Sequence, residues 1–109
     1  MAYDADLAAR IRAVIPGSTP VQERKMFGGL AFLVGGHMGC GIMGDRLLVR
    51  VPPEEYDATL DEPHAAPMEF GGRQMRGFVS VEPAGVAERS SLESWVRRGI
   101  AFASSLPPK

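Results

Sequence analysis

The stretch "KMFGGLAFLVGGHMGCGIMGDRLLVRV", residues 25–51, decides how this chain folds. Within it Gly39, Gly41 and Gly44 match G-x-G-x-x-G, the spacing of a dinucleotide-binding loop. That chemistry needs a strand before the motif and a helix after it, so that helix N–H groups point at a pyrophosphate. Here the motif runs into "DRLLVRV", β-branched and alternating, so the next element is a strand and the match is coincidental. Hairpin turns account for more of the residues. Gly28-Gly29, Gly35-Gly36 and Gly44-Asp45 each separate apolar runs, and glycine supplies the positive φ of a two-residue connection. The expectation is an antiparallel meander of four strands, Gln22–Phe27, Leu30–Val34, His37–Met43 and Arg46–Val51.

Two-residue turns also fix a register, and residues directly opposite share a face. Val34 then stands opposite His37, Phe32 opposite Gly39 and Leu30 opposite Gly41, with the Phe32 ring free to lie over bare backbone. The third turn sets Met43 against Arg46 and Gly41 against Leu48; the first sets Phe27 beside Leu30 and Lys25 beside Phe32. One face so defined carries Met26, Ala31, Leu33, Met38, Cys40, Ile42, Leu47, Val49 and Val51, with Arg24 at its margin, and should lie beneath helices. The other carries Lys25, Phe27, Leu30, Phe32, Val34, His37, Gly39, Gly41, Met43, Arg46, Leu48 and Arg50. Its apolar centre (Phe27, Leu30, Phe32 and Leu48) and cationic rim (Lys25, Arg46 and Arg50) make it the candidate interaction surface.

The helices are read outward from this sheet. Asp4 or Asp6 caps a first helix with Leu7, Ala8, Ile11, Val14 and Ile15 on one side, and Pro16-Gly17 ends it. Pro52 and Pro53 open a short second helix with Tyr56 and Leu60 turned to the core. Pro63 and Pro67 punctuate a loop; a short strand over Met68–Phe70 and a longer one over Met75–Glu82 come next. The last helix opens on the capping box Ser90-x-x-Glu93 and carries Leu92, Trp95, Val96, Gly99, Phe102, Ala103 and Leu106 at helical spacing before Pro107 stops it. Arg97-Arg98 reads as a solvated face. The fold class is α+β: a two-layer sandwich, an antiparallel meander of four strands plus one or two after the second helix, with helices packed on one face, in one domain spanning residues 1–109.

Composition narrows the function classes. Twelve basic and thirteen acidic residues give a net charge of −1, without the basic excess of a dedicated nucleic-acid binder. The single cysteine, Cys40, cannot form an internal disulfide and fits a reducing compartment. No basic leader opens the chain, and no apolar run approaches the roughly 20 residues that span a bilayer. A cytoplasmic protein without membrane contact is expected. Cys40 reads as a small core residue, with His37 on the opposite face, and His64 as a solvated loop histidine. Neither a catalytic group, a metal-ligand spacing nor a cofactor loop emerges, so no enzyme is expected.

A basic residue and then M-F-G-G (Met26, Phe27, Gly28, Gly29), a hydrophobic strand, a glycine turn and "DRLLVRV" resemble the N-terminal domain of the TfoX/Sxy competence regulators. "PHAAPMEFGGRQMRGFVSVEP" and "LESWVRRGIAFASSLPPK" are similar to its small stand-alone bacterial members, and the likeness runs from about Pro20 to Leu106. The resemblance implies helices on one side of an antiparallel sheet. It also implies a part in transcriptional control of DNA uptake, assisting another transcription factor, with no catalytic residues. The regulators with that role carry a further C-terminal helical domain, which these 109 residues do not include. The expected function is a non-enzymatic regulatory domain working through protein contacts, with homodimerisation through the mixed face as its simplest form. The alternative is direct nucleic-acid binding there, Phe27 and Phe32 stacking on bases while Lys25, Arg46 and Arg50 meet phosphates. A small-ligand receptor or enzyme is the third class.

Overall fold

A computed structural model describes residues 3–26 and 28–108. Helix α1 (Ala5–Val14) starts where Asp4 accepts hydrogen bonds from the backbone N–H groups of Asp6 and Leu7, at 2.9 and 3.1 Å. This satisfies two of the donors that every helix start leaves open. Four strands come after it, β1 (Gln22–Met26), β2 (Gly29–Val34), β3 (His37–Met43) and β4 (Arg46–Arg50). A 3-10 turn at Pro53–Glu55 leads into the short α2 (Tyr56–Leu60), and then come β5 (Ala65–Phe70) and β6 (Arg73–Val81). A second 3-10 turn at Pro83–Val86 precedes the long α3 (Arg89–Ser105).

The six strands make one antiparallel sheet in the order β1-β2-β3-β4-β6-β5. The meander is present, and the chain then crosses under α2 to place β6 rather than β5 beside β4. Strand β5 starts earlier than expected, at Ala65, and carries Pro67. An edge strand tolerates proline because the missing N–H need not face a neighbour. Gly71-Gly72, both at positive φ, close the β5–β6 hairpin, so β6 also begins before Met75. The α+β class holds, with the helices contributing their buried sides to one core cluster on one side of the sheet.

The expected register fails at one point, and the consequence is large. Val34 pairs with His37 and Leu33 with Met38, but Phe32 pairs with Cys40 and Leu30 with Ile42. Gly39 is therefore a β-bulge, one extra residue in β3. Beyond it every β2 residue faces the opposite way from the simple hairpin reading. Leu30, Phe32 and Val34 join Cys40, Ile42, Leu47, Val49 and Val51 in the core beneath the helices. Ala31, Leu33 and Met38 go to the other side with Leu48. The β3–β4 register is as expected, Met43 on Arg46 and Gly41 on Leu48. In β1 the pairing is two residues from the expected one, Lys25 on Leu30 and Arg24 on Ala31; a shift of two keeps β1 in step with β2, so it turns over with it, and Arg24 and Met26, expected beneath the helices, go to the open side. Phe27 lies outside the described residues.

At the bulge α3 approaches the sheet backbone to backbone. A Cβ on Gly99 would collide with the carbonyl oxygen of Gly39, and one on Gly39 would stand 3.0 Å from the carbonyl oxygen of Gly99. Two glycines thus let helix and strand backbones touch. Gly39 makes room for α3, and Phe32 stands opposite Cys40 instead of opposite Gly39.

Two further expectations change. Helix α3 begins at Arg89 with Glu88 at the cap position and no side-chain capping bond, so Ser90 and Glu93 do not form a capping box. Arg98 is no solvated charge: its guanidinium forks onto Glu62 at 3.0 and 2.9 Å and lies 4.6 Å from the centroid of the Trp95 ring. It ties the end of α2 to α3. Arg97 does face water, with Glu93 3.4 Å away.

Candidate functional site

The helices leave the other face of the sheet open. Its floor is a row of residues in register across all six strands: Arg24 beside Ala31, Ala31 beside Gly41, Gly41 beside Leu48, Leu48 beside Ser80, and Ser80 beside Ala66. Except for Leu48 and the terminal Arg24 these side chains are small, so the row is a trough. Larger side chains stand over it. Met38 reaches so far across that a Cβ on Gly41 would lie 2.6 Å from its Cε. Met68 packs with Ala31, Leu33 and Leu48 as well, and Met43 and Phe78 flank them. Met26 and Met75 stand at the rim, 41% and 39% exposed. Of the six methionines in the sequence, every one except Met1, which lies outside the described residues, is on this face.

Above this row, among Met26, Leu33, Met38, Met68, Met75 and Phe78, lies a groove of about 390 Å³. Its lining includes two cations, Arg24 and Arg50, and no acid among the described residues. Neither arginine is in an ion pair among the described residues. The Arg50 guanidinium instead lies 5.6 Å from the ring centroids of both Phe78 and Phe102, at the end of β4 where sheet and α3 meet. Arg46 donates to Ser80 Oγ at 2.7 Å.

The seven residues expected to form one interaction surface are therefore divided. Arg46, Leu48 and Arg50 lie on the open face, Leu48 buried in its floor. Leu30 and Phe32 are in the core under the helices, which corrects their assignment to the open side. Lys25 pairs with Leu30 and shares the helix-side orientation of that residue, on an exposed edge strand. Phe27 falls outside the described residues. In the M-F-G-G motif Met26 is a rim residue of the groove, Gly28 takes a φ of +73° in the turn, and Gly29 pairs with Met26. The residues that sequence reasoning missed are Arg24, Met38, Met68, Met75 and Phe78. The signal for three of them is the methionine content, which becomes visible as a surface only once the bulge is known.

The other polar candidates have structural partners. Cys40 is fully buried, and burial pushes its thiol up to about 12, far from a reactive thiolate. His37, brought by the bulge to the same side as Cys40, has its Nε2 2.6 Å from the carbonyl oxygen of Pro107. His64, at a φ of +69°, borders a cleft of about 340 Å³ between the start of α3 and the loop after α2. Its Nδ1 is 3.3 Å from Glu82, and the neighbouring Arg98 and Glu62 are already bound to each other.

What this geometry defines is an α+β domain with one helix-covered sheet face and one open, methionine-lined face. The chain belongs to the TfoX N-terminal domain family, whose model matches residues 15–103, most of its length. No curated protein and no solved structure matches it. Among the described residues no helix is long and apolar enough to cross a membrane.

Proposed function

We propose that this chain is a non-enzymatic regulatory domain that acts through protein–protein contacts at the open face of its sheet. The single observation carrying this reading is the trough of small residues overlain by methionines and bordered by arginines without ion-pair partners among the described residues. Exposed apolar surface of this kind tends to mark association sites, and methionine suits them because its unbranched thioether adapts to different shapes. Family membership supports a regulatory role, and by that analogy the partner is a component of the transcription apparatus. Base stacking has less support here, because Phe32 is buried beneath the helices and the net charge is −1.

A photo-crosslinking residue at Met75 or Met26, compared with one at Asp61 beyond α2, tests the assignment. The expected result is one identified protein captured from the open-face positions, and its loss when the other rim methionine becomes glutamate. Capture from Asp61 alone, or equal capture from all positions, would sink the reading.

A further inference from the structure

The geometry points to an acidic amphipathic helix as the segment that docks in the methionine groove, its apolar stripe in the trough and its carboxylates on Arg24 and Arg50. This rests on the proposal that the open face binds protein, and it specifies the chemistry of the bound segment. Three observations converge on it.

The first is shape. The groove draws its lining from all six strands, from Arg24 and Met26 on β1 through Leu33, Met38, Arg50 and Phe78 to Met68 on β5. Five strand spacings make it about 24 Å long. A helix of about 16 residues has that length. Its i, i+3, i+4 and i+7 side chains are the anchors a groove of this kind reads.

The second is the lid. Met38 and Met68 fold down over the small floor residues and are nearly fully buried there. A methionine can swing to another rotamer and refill space beside an incoming side chain at low cost. An incoming apolar side chain can therefore displace Met38 or Met68 and reach the floor beneath them.

The third is charge. The lining holds Arg24 and Arg50 and no acid among the described residues, and Arg46 lies on the same face. A second copy of this chain would bring like charges together across the interface, which disfavours it. Carboxylates on the guest would instead meet guanidinium groups that no acid of the described chain holds, with Arg able to fork onto each.

Two labelled synthetic peptides test the idea. Both carry leucine at i, i+3, i+4 and i+7 over about five turns; one has glutamate at the polar positions and the other lysine. Fluorescence anisotropy is read against the full chain at low and near-physiological salt. The glutamate peptide is expected to bind at least tenfold more tightly than the lysine peptide, and more weakly as salt rises. Arg24→Glu should weaken it about tenfold while improving the lysine peptide, a reversal that loss of folding cannot produce. Met75→Ser, which removes apolar rim without adding charge, should weaken both.

Equal binding of the two peptides, or an Arg24→Glu variant that binds the glutamate peptide unchanged, would overturn the inference. So would concentration-dependent self-association that Met75→Glu abolishes, since the occupant would then be a second copy. Competition by a DNA duplex would overturn it too. If neither peptide binds while an open-face crosslink to a protein persists, the helix chemistry is wrong and the docking face stands. Crosslinks confined to Asp61 would instead remove the face itself.

Discussion

Cys40 shows what burial does to a single side chain. It lies within the β-sheet core with no accessible surface, and the resulting loss of hydration holds its proton on. In native protein at pH 8 it should resist alkylation by iodoacetamide and label at the free-thiol rate only after unfolding; prompt labelling would contradict the placement. Glu23 is the opposite case, an exposed carboxylate held below its ordinary 4.5, first by the hydrogen bond from Arg12 and opposed in part by desolvation. A lowered folded value means its contribution is present above 4.5 and is lost as pH falls through that lowered value. Both groups are well exposed, so Glu23→Gln should cost only about 0.2–1 kcal/mol at neutral pH. By denaturant titration that difference should vanish in acid. Single residues of this kind were only half legible: the small apolar character of Cys40 was evident, while the pairing of Glu23 with Arg12 depends on how α1 crosses β1.

Elements meet through backbones here as much as through side chains. Gly99 and Gly39 bring α3 onto the bulge of β3, where no Cβ has room. Gly99→Ala should therefore cost about 1–3 kcal/mol, the usual penalty of overpacking, although alanine is the better helix former. A midpoint of urea unfolding at or above that of the parent would refute the close approach. The Gly99 position in the apolar stripe of α3 was plain from the helical period. Its role was not, because nothing local to either glycine announces the other. The capping box failed for a related reason. The chain enters α3 from the 3-10 turn at Pro83–Val86 and starts the helix one residue before Ser90.

At the scale of the whole molecule the two faces have separate tasks, and one pair of variants distinguishes them. Phe32→Glu would bury a charge in the helix-side core at a cost of several kcal/mol, comparable to the whole stability of a small domain. It should abolish cooperative unfolding and says nothing about assembly. Met75→Glu, at a half-exposed rim, should shift stability by no more than about 0.5 kcal/mol. It should nevertheless remove partner capture. A Met75→Glu protein that unfolds like Phe32→Glu would mean that Met75 belongs to the core.

Local signals in the sequence sufficed for the meander, the three helices and the α+β class, because hairpin glycines, prolines and hydrophobic period act over a few residues. They also sufficed for the idea of one covered and one open face. Which residues form the open face was decided by tertiary structure alone. Side chains alternate along a strand, so the single extra residue at Gly39 reverses the pairing between the faces of β2 and β3. At that bulge α3 seats Gly99 against Gly39, a contact between residues far apart in the chain. The methionines were always in the sequence; only the strand register turned them into a surface.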